Sequence, residues 1–238
     1  MQIHGLNKTT LLDYPEHVAA TVFTGGCNFR CPFCHNKDLV LNPAGQPMME
    51  EREIFNFLKK RKGIITGVCI TGGEPTLQPD LKQFLMKIKE IGINIKLDTN
   101  GYRPEVLKDL VQSALVDYVA MDVKSSKKRY AEAVGLNHNN LADKAFIIEK
   151  IEESVSFLMQ GTIPYEFRTT IVKELHTEQE IKEIGEWIAG CRYYFLQSYE
   201  ENENVICPGF HACTKEELLL YKKLLENHIE YVALRGVE

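Results

Sequence analysis

The chain has 238 residues, enough for one well-buried core and short for two full domains. Apolar residues make up 44% and charged residues 26%, an ordinary balance for a globular protein. A net charge of −5 leaves no basic footprint for nucleic acid or an anionic membrane.

The first residues, "MQIHGLNKTTLLDYPEH", lack the basic start and apolar run of a signal peptide. No apolar stretch reaches the roughly 18 residues needed to cross a bilayer. The expected location is the cytosol. "HVAATVFT" (His17 to Thr24) reads as a buried strand, and a loop with three cysteines follows it. "MEEREIFNFLKKRKG" places Ile54, Phe57 and Leu58 on one helical face and stops at Gly63. "GVCIT" (Gly67 to Thr71) is the next strand. "PDLKQFLMKIKEIG" is a helix opened by Pro79 and Asp80 and closed by Gly92. "INIKLDT" (Ile93 to Thr99), "RPEVLKDLVQSA" and "VDYVAMDV" (Val116 to Val123) continue as strand, helix and strand. "LADKAFIIEKIEESVSFLM", "EFRTTIV" (Glu166 to Val172), "TEQEIKEIGEWIAG", "YYFLQ" (Tyr193 to Gln197), "TKEELLLYKKLLENH" and "YVAL" (Tyr231 to Leu234) complete the alternation. Thr177 with Glu180 and Thr214 with Glu217 fit capping boxes.

About six β-α repeats imply a mostly parallel sheet, open or curled into a barrel. No linker splits the chain, so a single domain over 1–238 is expected, with 205–238 as a C-terminal extension. The irregular stretches Ser125 to Asn140 and Ser198 to Cys213 are the candidate partner-facing loops. "SSKKRY" (Ser125 to Tyr130) is the one modest basic patch, and it reads best as a solvated loop or helix start. Parallel α/β folds bind ligands at the C-terminal ends of their strands. The polar residues expected there are Thr24 to Cys27, Thr71 to Glu74, Asp98 to Gly101, Asp122 to Lys124, Arg168 and Gln197. "TGG" ends two of the strands, marking places where the backbone needs glycine to turn or to approach a ligand.

"GGCNFRCPFCHN" places Cys27, Cys31 and Cys34 in a C-x3-C-x2-C run. In a reducing compartment such a cluster points to metal or redox chemistry. A structural zinc site wants four ligands, and the fourth would be His35, Cys207 or Cys213. An iron–sulfur cube also takes four ligands, so three thiolates leave one iron open to a reactant. Cys69 lies mid-strand and reads as core. Cys191, Cys207 and Cys213 are spaced too widely to suggest a second cluster.

The cysteine run, with Phe33 before its last cysteine, resembles the signature of the radical S-adenosylmethionine (SAM) enzymes. "TGGEP" (Thr71 to Pro75) resembles that family's second motif. "CPFCHN", "DTNG" (Asp98 to Gly101) and "MDVK" (Met121 to Lys124) narrow the resemblance to the glycyl-radical-enzyme activases. The opening residues look most like the activases of anaerobic ribonucleotide reductases. Some activases carry an eight-cysteine insert, but residues Lys37 to Glu50 hold no cysteine, so this is the compact kind.

The resemblance implies a partial (β/α)6 barrel and one [4Fe–4S] cluster on Cys27, Cys31 and Cys34. It implies SAM beside Phe33, Gly72, Gly73 and Glu74, with Lys124 or Arg168 offsetting the SAM carboxylate. Asp98 and Asp122 would hold a monovalent cation, or Asp122, Lys124 and Arg168 would form a structural network. His35 and Asn36 would shield the cluster or meet the partner, and Gln197 would face the site. The implied partners are a glycyl radical enzyme and a flavodoxin or ferredoxin as electron donor. Activation of a pyruvate formate-lyase type enzyme, radical modification of a peptide, and a non-catalytic metal-binding module are the alternatives.

Overall fold

The computed structural model describes residues 1–136 and 141–237, with the backbone alone at 141 and 142. In chain order the elements are β1 (Ile3–Thr10), β2 (Ala19–Thr24), α1 (Lys37–Leu41), α2 (Glu51–Lys60), β3 (Gly67–Gly72), α3 (Leu81–Ile91), β4 (Asn94–Thr99) and α4 (Pro104–Gln112). They continue as β5 (Tyr118–Asp122), α5 (Tyr130–Ala133), α6 (Leu141–Leu158), β6 (Tyr165–Ile171), α7 (Glu178–Trp187), β7 (Tyr193–Ser198), α8 (Lys215–Leu225) and β8 (Tyr231–Arg235). The strands follow one another in the sheet in chain order, and β1 and β8 are its unjoined ends. Among the described residues each strand from β2 to β7 is followed by a helical crossover, which gives the six β-α units expected. The fold is α/β on an open, mostly parallel sheet, as read from the sequence. The tail of the expected loop at 125–140, residues 137–140, lies outside the described residues.

The chain forms two compact units. The first comprises Met1–Asn28, Asn36–Thr99 and Arg103–Ala120. Within it β2 pairs in parallel with β3, and β3 with β4. Their interior reads Val22, Val68, Ile70, Ile95 and Leu97, all fully buried, as strands covered on both faces require. Helix α3 buries Leu81, Phe84, Leu85, Ile88 and Ile91, one face of a 3.6-residue period. It ends where Gly92 takes φ +86°, the left-handed stop that glycine adopts without strain.

Strand β1 was not expected. It runs antiparallel to β2, and Ile3 is its one fully buried residue. A half-exposed edge strand has no need of strict apolar alternation, so its sequence carries little signal.

The second unit comprises 29–35, 100–102 and the chain from Met121 on. Here β6, β7 and β8 pair in parallel. Helices α7 and α8 both open with the expected capping boxes. Thr214 Oγ1 accepts from the Glu217 N–H at 3.2 Å, and the Glu217 carboxylate accepts from the Thr214 N–H at 2.8 Å. Such a box contributes about 1 kcal/mol to helix stability. Fully buried Glu166 is held by a two-pronged bridge from Arg235, at 2.6 and 2.9 Å. The Arg235 guanidinium lies 3.5 Å from the centre of the Phe195 ring.

Candidate functional site

Cys27 follows β2 in the first unit, half-buried. Cys31 is 7% exposed and Cys34 half-buried, both in the second unit. None of the three is in a disulfide. The Cys34 N–H donates to the Cys31 carbonyl at 3.0 Å, closing one turn.

The segment after β7 fastens residues 32–35. The Cys207 N–H donates to the Pro32 carbonyl at 2.8 Å. His35 Nε2 donates to the Glu200 carbonyl at 2.7 Å, and its ring stacks on Tyr199 with centroids 5.2 Å apart. Buried Phe33 meets Phe210 edge-on. His35 is therefore a clamp on this loop. Asn36 belongs to the first unit and donates to the Gly72 carbonyl at 2.9 Å.

The two TGG triplets lie side by side, with Thr24 in register with Gly72. The Gly73 N–H donates to the Thr24 carbonyl and the Glu74 N–H to the Gly26 carbonyl, each at 2.8 Å. Gly72 has φ +118°, and a Cβ on Gly73 would stand 1.9 Å from the Gly26 carbonyl oxygen. Only glycine lets these strand ends come so close. Glu74 is 1% exposed. Its Oε1 accepts from the Thr76 N–H at 3.1 Å, the Thr76 hydroxyl at 2.5 Å and the Thr99 hydroxyl at 2.7 Å. Its side chain holds the loop together from inside.

Asp98, on β4, forms an ion pair with Lys96 two residues earlier on the same strand face. Lys96 is 2% exposed, and its Nζ also lies 3.8 Å from Cys69 Sγ. The sequence reading passed over Lys96, although the period of a strand puts it on the face of Asp98.

Asp122, Lys124 and Arg168 come together in the second unit. Lys124 Nζ lies 2.9 Å from Asp122 Oδ2, and Arg168 Nε lies 3.0 Å from Asp122 Oδ1. Burial alone would lower the Lys124 pKa. The negative charges of Asp122 and of Cys31 and Cys34 as thiolates outweigh it and hold the ammonium charged, its pKa well above the ordinary value. Two cations against one carboxylate leave this trio with one positive charge to offer an anion. Gln197 stands in register with Arg235 on β8.

His176, which the sequence reading did not single out, holds this corner in place. It is fully buried. Its Nδ1 accepts from the Val172 N–H at 3.0 Å, and its Nε2 donates to the Lys124 carbonyl at 2.9 Å. Burial pushes its pKa below the ordinary 6.5. The unfolded chain then binds a proton that the folded protein does not. Stability is full above pH 6.5 and falls as the pH drops from there through the lowered folded value. Thermal midpoints between about pH 7.5 and about pH 5.5 should show this loss, and His176→Gln should flatten the slope.

Among the described residues, no three His, Cys, Asp or Glu side chains close around the position of a single metal ion. The donor chemistry is three cysteine thiols in one short stretch of chain, none in a disulfide, with the Lys124 ammonium charged beside Cys31 and Cys34. That set fits an iron–sulfur cluster that keeps one iron for another ligand. The glycines let the ends of β2 and β3 pack backbone against backbone beside Gly26.

Residues 21–188 match the model of the Radical SAM superfamily. A Methanocaldococcus jannaschii protein, provisionally named a glycyl-radical enzyme activating enzyme, is 34% identical over 238 residues, 99% of this chain and 96% of that protein. The pyruvate formate-lyase-activating enzyme of Clostridium pasteurianum is 33% identical over 128 residues, 52% of each chain. The crystal structure of Streptococcus suis SuiB bound to S-adenosylmethionine superposes with a TM-score of 0.67 at 15% identity. It covers 88% of this chain and 48% of SuiB, and it shows likeness of fold. Among the described residues no helix is long and apolar enough to cross a membrane.

Proposed function

Because the chain belongs to the radical SAM superfamily, we propose that it installs a glycyl radical on a partner enzyme, an anaerobic ribonucleotide reductase. The observation that carries the activase reading is the near end-to-end likeness to the M. jannaschii protein; the choice of a ribonucleotide reductase as partner rests on the resemblance of the opening residues alone. Membership of an enzyme superfamily sets the non-catalytic metal module aside.

Cys27, Cys31 and Cys34 would hold a [4Fe–4S] cluster. With SAM bound, that cluster would supply one-electron reduction for cleavage of the cofactor's sulfonium. The chain's own part is to bind, orient and exclude water. The backbone at Gly72 and Gly73 would take the SAM amino group, and Glu74 keeps that loop in shape through Thr76 and Thr99. Lys124 and Arg168 would take the carboxylate, their net positive charge supporting the role. Phe33 would stand on the adenine side. A flavodoxin or ferredoxin of the cytosol would supply the electron. Likeness to the Clostridium enzyme supports a second reading, activation of a pyruvate formate-lyase type partner.

The test is anaerobic. The reconstituted, reduced protein is given SAM with and without the candidate reductase. We expect 5′-deoxyadenosine in solution and a glycyl radical doublet on the reductase by electron paramagnetic resonance. Loaded protein that forms neither with any glycyl radical enzyme would refute the assignment.

A further inference from the structure

We propose that two copies of this chain pair through β8, edge to edge and antiparallel, about a two-fold axis at Ala233. The inference does not depend on the reading above. An unpaired edge strand offers a row of N–H and C=O groups to any other strand, and proteins blunt such edges with lysine, proline or bulges. The two end strands of this sheet differ in that respect. Strand β1 carries Lys8, breaks register with β2 at two places and is bridged at Ile3 by Met49. Strand β8, "YVALR", has no lysine, proline or glycine, and its register with β7 is unbroken from Tyr231 to Arg235.

The Tyr231 N–H donates to the Arg192 carbonyl at 3.0 Å. Backbone direction alternates along a strand, so Tyr231, Ala233 and Arg235 turn their N–H and C=O toward β7. Val232 and Leu234 turn theirs outward, where no strand lies among the described residues. A second β8, antiparallel with Ala233 opposite Ala233, puts Val232 of each copy opposite Leu234 of the other. These are the residues whose groups point out, so each pair exchanges both of its hydrogen bonds. A shift of register by two residues would set one of them opposite a residue outside the strand.

The side chains fit the same register. Tyr231 of one copy stands opposite Arg235 of the other, and an aromatic face attracts a guanidinium. Arg235 is fixed for this by Glu166 and the Phe195 ring. On the other face Val232 meets Leu234, an apolar pair. Parallel strands are normally covered on both faces. Yet Tyr231 is 50% exposed, and its ring meets those of Tyr193 and Phe195 with centroids 5.7 and 6.1 Å away. Pairing buries that aromatic edge. A contact in which every residue pair occurs twice is that of a two-fold dimer, so the occupant is a second copy of this chain.

The test uses the full chain, loaded with iron and sulfide without air. Sedimentation equilibrium from about 1 to about 100 µM should show a reversible monomer–dimer equilibrium. Amide hydrogen exchange over residues 231–235 should slow as the dimer forms. Ala233→Lys sets two ammonium groups opposite each other on the axis and should weaken the dimer by about fivefold or more. Ala233→Glu should do the same, and an equimolar mixture of the two should pair again as mixed dimers. Leu234→Pro removes an N–H that faces away from β7, so it should spare the single chain and abolish pairing.

A wild type that stays monomeric over this range would overturn the inference. So would a dimer that Ala233→Lys and Leu234→Pro leave intact, or charge variants that pair no better mixed than alone. Exchange in β8 that slows only when a glycyl radical enzyme is added would give the edge to that partner and overturn self-pairing. Should Ala233→Lys fold poorly, the wild type and Leu234→Pro still decide.

Discussion

Replacing Cys31 by alanine is expected to abolish 5′-deoxyadenosine formation, a loss of at least about three orders of magnitude. Cys31 is 7% exposed and lies in a loop held by hydrogen bonds of its neighbours. Removing one sulfur from such a place leaves a small gap, and the fold should survive. What goes is one of the three thiolates proposed to hold the cluster, and two would not hold a cube that lacks a fourth cysteine. Lys124 also loses one of the negative charges that keep its ammonium high in pKa. Iron content per chain, the cluster's paramagnetic signal and chromatography of the nucleoside product check the expectation together. A Cys31→Ala protein that keeps its iron and forms product would remove this loop from the chemistry.

Gly73→Ala should be nearly as damaging, for a steric reason. The new methyl would stand 1.9 Å from the Gly26 carbonyl oxygen and 2.7 Å from its carbon. Both are backbone atoms and cannot rotate aside as a flexible side chain can. The ends of β2 and β3 must separate, and the 2.8 Å bond from the Glu74 N–H to the Gly26 carbonyl is strained or lost. Overpacking of this kind costs about 1–3 kcal/mol. Because the displaced backbone is the proposed amino-group site, SAM affinity should fall by about tenfold or more. Gly92→Ala is the control. Gly92 has positive φ, which Gly73 does not, but a Cβ there meets nothing within 4 Å. It should cost about 1 kcal/mol of stability and leave SAM binding unchanged. Wild-type SAM affinity in Gly73→Ala would show that this loop is no cofactor cradle.

Apolar runs and helix caps made the seven strands from β2 to β8 and the main helices legible in the sequence. Strand β1 was not, because its exposed positions are free to be polar. The trio Asp122, Lys124 and Arg168 was foreseen in part from the two-residue period, since Asp122 and Lys124 must share a face. Gly73 was visible as a glycine, but the need for it comes from the register of Thr24 with Gly72, which no local pattern encodes. Lys96 was hidden for the opposite reason. Its strand reads as a buried run, and one lysine within such a run draws no notice until the face it occupies is asked. His176 follows β6, and its partners Lys124 and Val172 become visible only when β5 and β6 are placed.

The clamp on residues 32–35 bears on how the protein is made. His35 waits for Glu200, 165 residues later, and Pro32 waits for Cys207. A nascent chain displays its cysteine loop early in synthesis, long before the segment that fixes it has left the ribosome. Contacts so distant in sequence form late in folding. Iron delivered to the growing polypeptide would meet a loose loop, whereas iron delivered after release meets a shaped one. The expected order is chain completion first and cluster assembly second, and iron loading of chains truncated before Glu200 should be poorer than that of the full chain.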